Sequence, residues 1–236
     1  MLSEAFIIIE PKQPTMDYTV KIKSIKVLTH DVKSYVVEKP KGYSFVPGQA
    51  TEVAINKNEW RGEKRPFTFT ALPDADHLEF VIKSYSDHDG VTNQLDQLEE
   101  GDELILGDAW GAIQYHGKGA FIAGGAGVTP FVGIFRHLEA KGEVPGNKLF
   151  FANKTSKDVI LEDYFQQILG NEFVSILEKE EKAGHEYGRI DKAFLKEHIS
   201  DFSKEFYVCG PDPMVKAISK SLEELGAKPD AIIFEK

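Results

Sequence analysis

A change of grammar at about residue 117 constrains the fold of this chain more than any other feature. Before it, short β-branched runs lie between turn residues; after it, apolar runs alternate with helix-like segments. Residues 18–27 alternate polar and apolar for much of their length. Further short runs follow at 34–37, 51–55, 67–71, 78–84 and 103–106, punctuated by Pro40, Pro47-Gly48, Pro73-Asp74 and Gly101-Asp102. Such spacing predicts an antiparallel barrel or sandwich, interrupted by one helix over 93–98. Strands are expected next at 120–123, 148–152, 173–177, 206–209 and 231–234. Helices are expected between them at 130–140, 160–169, 192–198 and 213–225. Five strands with interleaved helices predict a doubly wound parallel sheet. The fold class is therefore α/β plus β, with an N-terminal antiparallel β-barrel domain over 18–116 and a C-terminal α/β domain over 117–236. Residues 1–17 form an uninformative leader.

Composition narrows the function. Among 236 residues, 28 Lys+Arg stand against 38 Asp+Glu, a formal charge of −10. So acidic a chain is not expected to bind nucleic acid, whose affinity rests on basic side chains neutralising phosphates, nor an anionic membrane surface. One cysteine, Cys209, excludes an internal disulfide framework, a four-cysteine zinc site and a cysteine-ligated iron–sulfur cluster in this chain. The apolar run at 5–9 is too short to span a bilayer. Seven scattered histidines suggest no metal site. A soluble, cytoplasmic monomer is expected.

Three motifs carry chemistry. Gly124-Gly125-Ala126-Gly127-Val128-Thr129-Pro130 follows an apolar strand and opens an apolar helix. Glycines there allow a tight turn and close backbone approach. Thr129 is read as the N-cap and Pro130 as the first helical residue. A helix N-terminus so built suits a dinucleotide pyrophosphate, although Pro130 stands where G-x-G-x-x-G has its third glycine. A tight turn with no ligand is the alternative. The second motif, from Tyr207 through Cys209, Gly210 and Pro211 to Met214, also ends a strand and opens a helix. In a doubly wound sheet both motifs face one crevice. Cys209 reads equally as a thiol beside a ligand or as a small buried hydrophobe. The third, Arg65-Pro66-Phe67-Thr68, opens a barrel strand; alone it is an ordinary strand with an exposed Arg.

Together and in this order, these motifs resemble the ferredoxin–NADP reductase family. Arg65 to Thr68 is similar to its Arg-x-Tyr-Ser/Thr flavin signature, Gly124 to Pro130 to its pyridine-nucleotide loop, and Cys209-Gly210-Pro211 with Met214 to its nicotinamide segment. Ile82-Lys83, Tyr85, Gly90-Val91-Thr92 and Leu95 resemble its flavin-pyrophosphate loop and helix, and Phe45, Pro47-Gly48-Gln49 its barrel turn. The resemblance spans residues 18–236. It implies FAD between the two domains and NADP, with NAD as the alternative, on the second.

By that resemblance Arg65 binds a flavin phosphate through its charged fork, Phe67 lies against the ring, with Pro66 between them also counted as cofactor-binding, and Thr68 reaches the flavin N5. Val81, Ile82 and Lys83 offer backbone contacts, Tyr85 an adenine stack or else an ordinary surface position, and Gly90, Val91 and Thr92 a pyrophosphate site; the residues themselves also read Thr92 as an N-cap. Gly125, Ala126, Gly127, Val128, Thr129 and Pro130 hold the nucleotide pyrophosphate. Cys209, Gly210, Pro211 and Met214 pack near the nicotinamide. Thr68 and Cys209 tune the rate at the reacting atoms. Two departures stand out: Phe67 replaces Tyr, and Phe234 is the sole aromatic near the end that could cover the flavin. After the second parallel strand come Asn153, Lys154, Thr155, Ser156 and Lys157, with no acid before Asp158. That leans towards a 2′-phosphate, with Arg189 as a further candidate; solvated lysines are the alternative.

The implied reaction is hydride transfer from nicotinamide to flavin, then electron delivery to flavodoxin or ferredoxin. The reductase component of an oxygenase, a free-flavin reductase and a non-catalytic flavin redox sensor are the alternatives. An acidic carrier would need a basic patch, and Lys57, Arg61, Lys64 and Arg65 are the candidates.

Overall fold

The computed structural model describes residues 16–86, 89–111 and 113–234. The apolar run at 5–9 and nearly all of the 1–17 leader lie outside the described residues.

The first half forms six antiparallel strands: β1 (Tyr18–Thr29), β2 (Val32–Glu38), β3 (Ala50–Ile55), β4 (Arg65–Thr68), β5 (His77–Lys83) and β6 (Glu103–Trp110). Their order is β4-β3-β6-β1-β2-β5, and a bridge between Phe69 and Phe80 brings the two edges together. Alternation does the packing. On β1, Val20 and Ile22 point into a core with Tyr35, Val37, Phe69, Phe80, Leu104 and Leu106, while Lys21 points out.

Strand β4 covers residues 65–68 rather than the expected 67–71. It pairs with β3 only from Val53↔Arg65 to Ala50↔Thr68. The chain then crosses to β5, where the Thr70 N–H donates to the Glu79 carbonyl at 2.9 Å. Pro66 is tolerated because an edge strand spares one donor. The helix expected at 93–98 is α1 (Val91–Asp96), set by Val91 and Leu95 burying one face at i, i+4. The Tyr35 hydroxyl donates to the Leu95 carbonyl at 3.0 Å, and the Lys33 ammonium reaches the Asp96 carbonyl at 2.7 Å. Both tie α1 to β2.

The second half contains β7 (Gly119–Gly124), α2 (Thr129–Lys141), β8 (Lys148–Asn153), α3 (Glu162–Leu169), β9 (Phe173–Leu177), β10 (Glu186–Tyr187), α4 (Lys192–His198), β11 (Glu205–Cys209), α5 (Asp212–Glu224) and β12 (Ile232–Phe234). They form one sheet ordered β10-β9-β8-β7-β11-β12, with parallel pairs throughout. The sheet has six strands where five were expected. The sixth, β10, is two exposed residues long, too short for an apolar signal. Helix α3 starts at Glu162 rather than 160 because Leu161 adopts a left-handed φ of 53°. Ala231 belongs to a 3₁₀ turn, so β12 begins at Ile232.

Strand β7 is buried at every position, as a strand covered on both faces must be. One face packs against α2 and α3, and that cluster also takes in Val32, Val81 and Ile113 from the first half; α4 and α5 cover the other face. Helix α2 is buried from Thr129 to Phe135, being wedged between the two sheets. The Tyr207 hydroxyl accepts from the His116 and Gly117 N–H groups, each at 2.9 Å, and donates to the Gly117 carbonyl at 2.8 Å. This pins the connecting segment to β11. Among the described residues no helix is long and apolar enough to cross a membrane.

Candidate functional site

The parallel sheet runs from β7 to β8 and β9 on one side and to β11 and β12 on the other, so its order reverses between β7 and β11. At such a switch point the two departing connections splay apart and leave a crevice at the carboxyl ends of the strands. Both glycine motifs lie there. A Cβ at Gly127 would meet the Cys209 carbonyl oxygen at 2.5 Å and the Gly210 Cα at 2.6 Å. One at Gly124 would collide with Met214 Sδ. These two glycines therefore serve the packing of one loop on the other. Gly125 differs: its φ is +53° and no atom lies within 4 Å of a Cβ built there. It is the open point of the loop.

A 3₁₀ turn over Gly125–Val128 leads straight into α2. Val128, not Thr129, precedes the α-helix, and Thr129 is its buried first residue with Pro130 second. The expected Thr129 cap is thus corrected: the 3₁₀ turn supplies the helical entry, and Thr129 faces the core. Thr92 is corrected in the same way. Gly90 caps α1 and Thr92 lies inside it, because the Asn93 and Gln94 N–H groups already bond the Gly90 carbonyl.

Beside the crevice, Asn153 ends β8. It is 8% exposed, and its amide nitrogen and oxygen both lack a hydrogen-bond partner among the described residues. A buried amide left so costs a few kcal/mol, roughly 1–3, which a bound polar group would recover. Lys154 and Lys157 are exposed. Acids converge on the same loop. Glu180 accepts from the Ser156 N–H at 2.7 Å and from its hydroxyl at 3.3 Å, and these bonds hold its carboxyl below the ordinary range. Arg189 donates through Nε to Glu178 at 2.9 Å, and that bond lowers the Glu178 carboxyl. Asp158 accepts from the Thr155 N–H and hydroxyl at 2.8 and 2.7 Å. Burial raises its carboxyl, but those two bonds together with the nearby Lys83 and His30 outweigh it and the net shift is downward. Across the interface, His30 lies 3.9 Å from Asp158, and Lys83 pairs with Asp31 at 2.8 Å.

On the barrel side, Val81 and Ile82 are buried, Lys83 and Thr68 are half-buried, and Pro66 and Tyr85 are exposed. Phe67 packs partly against the barrel core. Val81 and Val128 both belong to the apolar cluster that continues from the barrel into the second half. Phe234 is not brought there. It packs with the α4–α5 side, while its neighbour Ile233 joins the cluster containing Val81. Arg65 is half-exposed and bonds the Lys64 carbonyl at 2.7 Å and Glu63 at 3.4 Å. The expected basic patch is largely neutralised: Lys57 pairs with Asp102 at 3.3 Å, Lys64 with Asp17 at 2.8 Å, and Arg65 with Glu63.

Sequence reasoning missed Arg136 and Glu79. Arg136 lies on α2 and donates to the Thr70 carbonyl at 2.8 Å and to Glu79 on β5. Glu79 also accepts from the Ser34 hydroxyl at 2.6 Å and the Thr70 hydroxyl at 2.9 Å. The signal was available: Arg136 is a single cation following a run of apolar residues in a helix.

An antiparallel barrel followed by a doubly wound sheet, with a glycine loop at the sheet's switch point, is an architecture suited to a dinucleotide. The comparisons agree. Residues 17–103 match the FAD-binding domain family model and residues 121–220 the oxidoreductase NAD-binding domain model. The chain belongs to the ferredoxin–NADP reductase-like family of FAD- and NAD-binding oxidoreductases. It is 28% identical over 242 residues to the reductase component of propane 2-monooxygenase from Rhodococcus jostii (strain RHA1), covering 94% of this chain and 64% of that protein. It is 29% identical to NADH-cytochrome b5 reductase 2 of Mycosarcoma maydis, covering 84% and 63%. The chain thus spans under two-thirds of these relatives' length. In fold it matches a ferredoxin NADP+ reductase from Neisseria gonorrhoeae with bound FAD and NADP, at TM-score 0.81 and 20% identity, covering 93% of this chain and 98% of that one.

The residues fit such cofactors. The open backbone at Gly125 and the unsatisfied Asn153 amide are the features a dinucleotide would use, and nothing lies within 4 Å of a Cβ built at Gly90.

Proposed function

We propose that this protein is an FAD-dependent NAD(P)H reductase that passes electrons to a separate one-electron carrier protein, flavodoxin or ferredoxin. The observation that carries the reading is the switch point of the parallel sheet, where Gly127 of the glycine loop packs against the backbone of Cys209 and Gly210. When bound, the two cofactors supply hydride transfer from nicotinamide C4 to flavin N5 and single-electron release.

The chain's own residues position and enclose. In this reading the Gly125, Ala126 and Gly127 N–H groups, at the start of a continuous helical entry, face the nucleotide phosphates. Asn153 gives its amide to the nucleotide, and Lys154 stands at the ribose, where Glu178 and Glu180 oppose an added phosphate. Arg65 leaves Glu63 for a flavin phosphate, to which its fork offers two parallel bonds. Phe67 and Thr68 border the ring; Cys209, half-buried at the end of β11, borders the nicotinamide.

A second reading is the reductase component of a multicomponent oxygenase. Two observations favour it: the name of the propane 2-monooxygenase relative, and the pairing of three of the four candidate basic-patch residues, Lys57, Lys64 and Arg65, with acids.

The test is anaerobic addition of NADH or NADPH to FAD-loaded protein. Bleaching of the flavin absorbance is expected, and its absence with both nucleotides overturns the reductase reading. Turnover against flavodoxin, ferredoxin, free flavin and cytochrome c then separates the acceptors.

A further inference from the structure

Helix α2 does two jobs at once. Its entry carries the Gly125–Val128 turn, and its side grips the barrel immediately after Thr68. A Cβ at Gly133 would meet the Phe69 carbonyl oxygen at 2.6 Å, so the helix lies directly on that backbone. Three residues on, and hence on the same face, Arg136 donates to the Thr70 carbonyl at 2.8 Å. With 1.5 Å of rise per residue, Arg136 stands about 9 Å along the axis from Pro130. A single rigid element therefore spans from the nucleotide loop to the segment that continues from Thr68.

What holds Arg136 is Glu79. The carboxylate is 13% exposed and takes Arg136, the Ser34 hydroxyl and the Thr70 hydroxyl together. The donors come from α2, β2 and the β4–β5 crossing, and the carboxylate from β5. A buried ion pair adds little stability over apolar side chains of the same volume, because both ions lose water. What it does add is direction: a carboxylate filled by three donors admits few arrangements of the groups around it.

We infer that Glu79 and Arg136 are positioning residues that fix the nucleotide-bearing helix on the flavin-bearing strand end, and so set the approach of the two reacting rings. The inference rests on the reductase reading above. Neither residue touches a reacting atom in it. Both act through α2 and residues 69–70.

The test uses FAD-loaded protein and the variants Glu79→Gln, Arg136→Lys and Glu79→Gln with Arg136→Gln. Flavin content and the dissociation constant of oxidised nucleotide should stay near wild type, since neither Glu79 nor Arg136 is among the residues assigned to either cofactor. The rate of anaerobic flavin reduction should fall roughly 10- to 100-fold, the range expected when reacting groups are displaced by up to an ångström. The long-wavelength absorbance of stacked nicotinamide and flavin should weaken. The double variant should be no slower than the slower single one. A merely structural role would lower folded yield and leave the rate per bound flavin unchanged.

Should Glu79→Gln fail to fold, Ser34→Ala removes one bond to the same carboxylate and should show a smaller drop in the same rate. Wild-type reduction rates and absorbance in Glu79→Gln, or in Ser34→Ala where that is the variant in hand, overturn the inference while leaving the reductase reading intact. A wild-type protein bleached by neither nucleotide overturns the reductase reading instead.

Discussion

Replacing Gly127 by Ala tests the packing of the two crevice loops, with Gly125→Ala as its internal comparison. At Gly127 the new methyl meets backbone on the far side: the Cys209 carbonyl oxygen at 2.5 Å and the Gly210 Cα at 2.6 Å. Backbone cannot swing away as a side chain can, so the loops must part by about 0.9 Å to reach an ordinary contact of 3.4 Å. Overpacking of this kind costs roughly 1–3 kcal/mol, and we expect the upper half of that range. In a chain of this length each kcal/mol lowers the melting temperature by about 2–4 °C. At Gly125 there is no clash, only a φ of +53°. An L-residue in that region costs about 1–2 kcal/mol, partly offset by a stiffer unfolded chain. The assay is a thermal melt and a stopped-flow measurement of flavin reduction on each variant. Gly127→Ala should melt lower than Gly125→Ala, retain FAD, and reduce its flavin roughly 10- to 100-fold more slowly than wild type. Equal melts together with a wild-type rate in Gly127→Ala would refute the argument that this glycine is required by loop packing.

Other expectations concern the individual site residues. Arg65→Ala should lower FAD occupancy after dialysis, and full retention would remove Arg65 from the flavin phosphate. Lys154→Asp should lower the kcat/KM ratio of NADPH over NADH about tenfold, equivalent to ~1.4 kcal/mol; an unchanged ratio places Lys154 away from the ribose. Burial raises the Glu79 carboxyl, but Arg136 and three hydrogen bonds outweigh it and the net shift is downward. A carboxyl lowered by folding stabilises the native state fully above its unfolded value, about 4.3 for Glu, and loses that contribution as pH falls through the native value. Glu79→Gln should therefore be less stable than wild type at pH 7, by roughly the 1.5–3 kcal/mol of bonds to a charged group. Urea midpoints should converge below about pH 4, and a gap independent of pH would contradict the ionised pair.

The sequence alone determined the two-part architecture, because patterning with period two and alternation of apolar strands with helices are local signals that no distant contact needs to supply. The β7–β8–β9 and β11 strands follow this rule: each is an apolar run, and each forms within a residue or two of its expected bounds. The glycine loop and the Cys209–Met214 segment were legible for the same reason, being short runs whose residue types dictate backbone shape.

Tertiary structure decided the rest. Where β4 ends depends on how far β3 runs alongside it, and β10 exists only because β9 offers an edge. Thr129 has the chemistry of a cap, yet a preceding 3₁₀ turn makes it a core residue. Of the candidate basic cluster Lys57, Arg61, Lys64 and Arg65, three members meet acids: Lys57 meets Asp102, Lys64 meets Asp17 and Arg65 meets Glu63; the first two of those acids are more than 40 residues away in sequence. Glu79 and Arg136 read as an ordinary strand acid and an odd cation in an apolar helix. Only packing α2 onto the barrel brings them together, 57 residues apart, since the attraction between two ions over that length of chain is nothing until folding sets the distance.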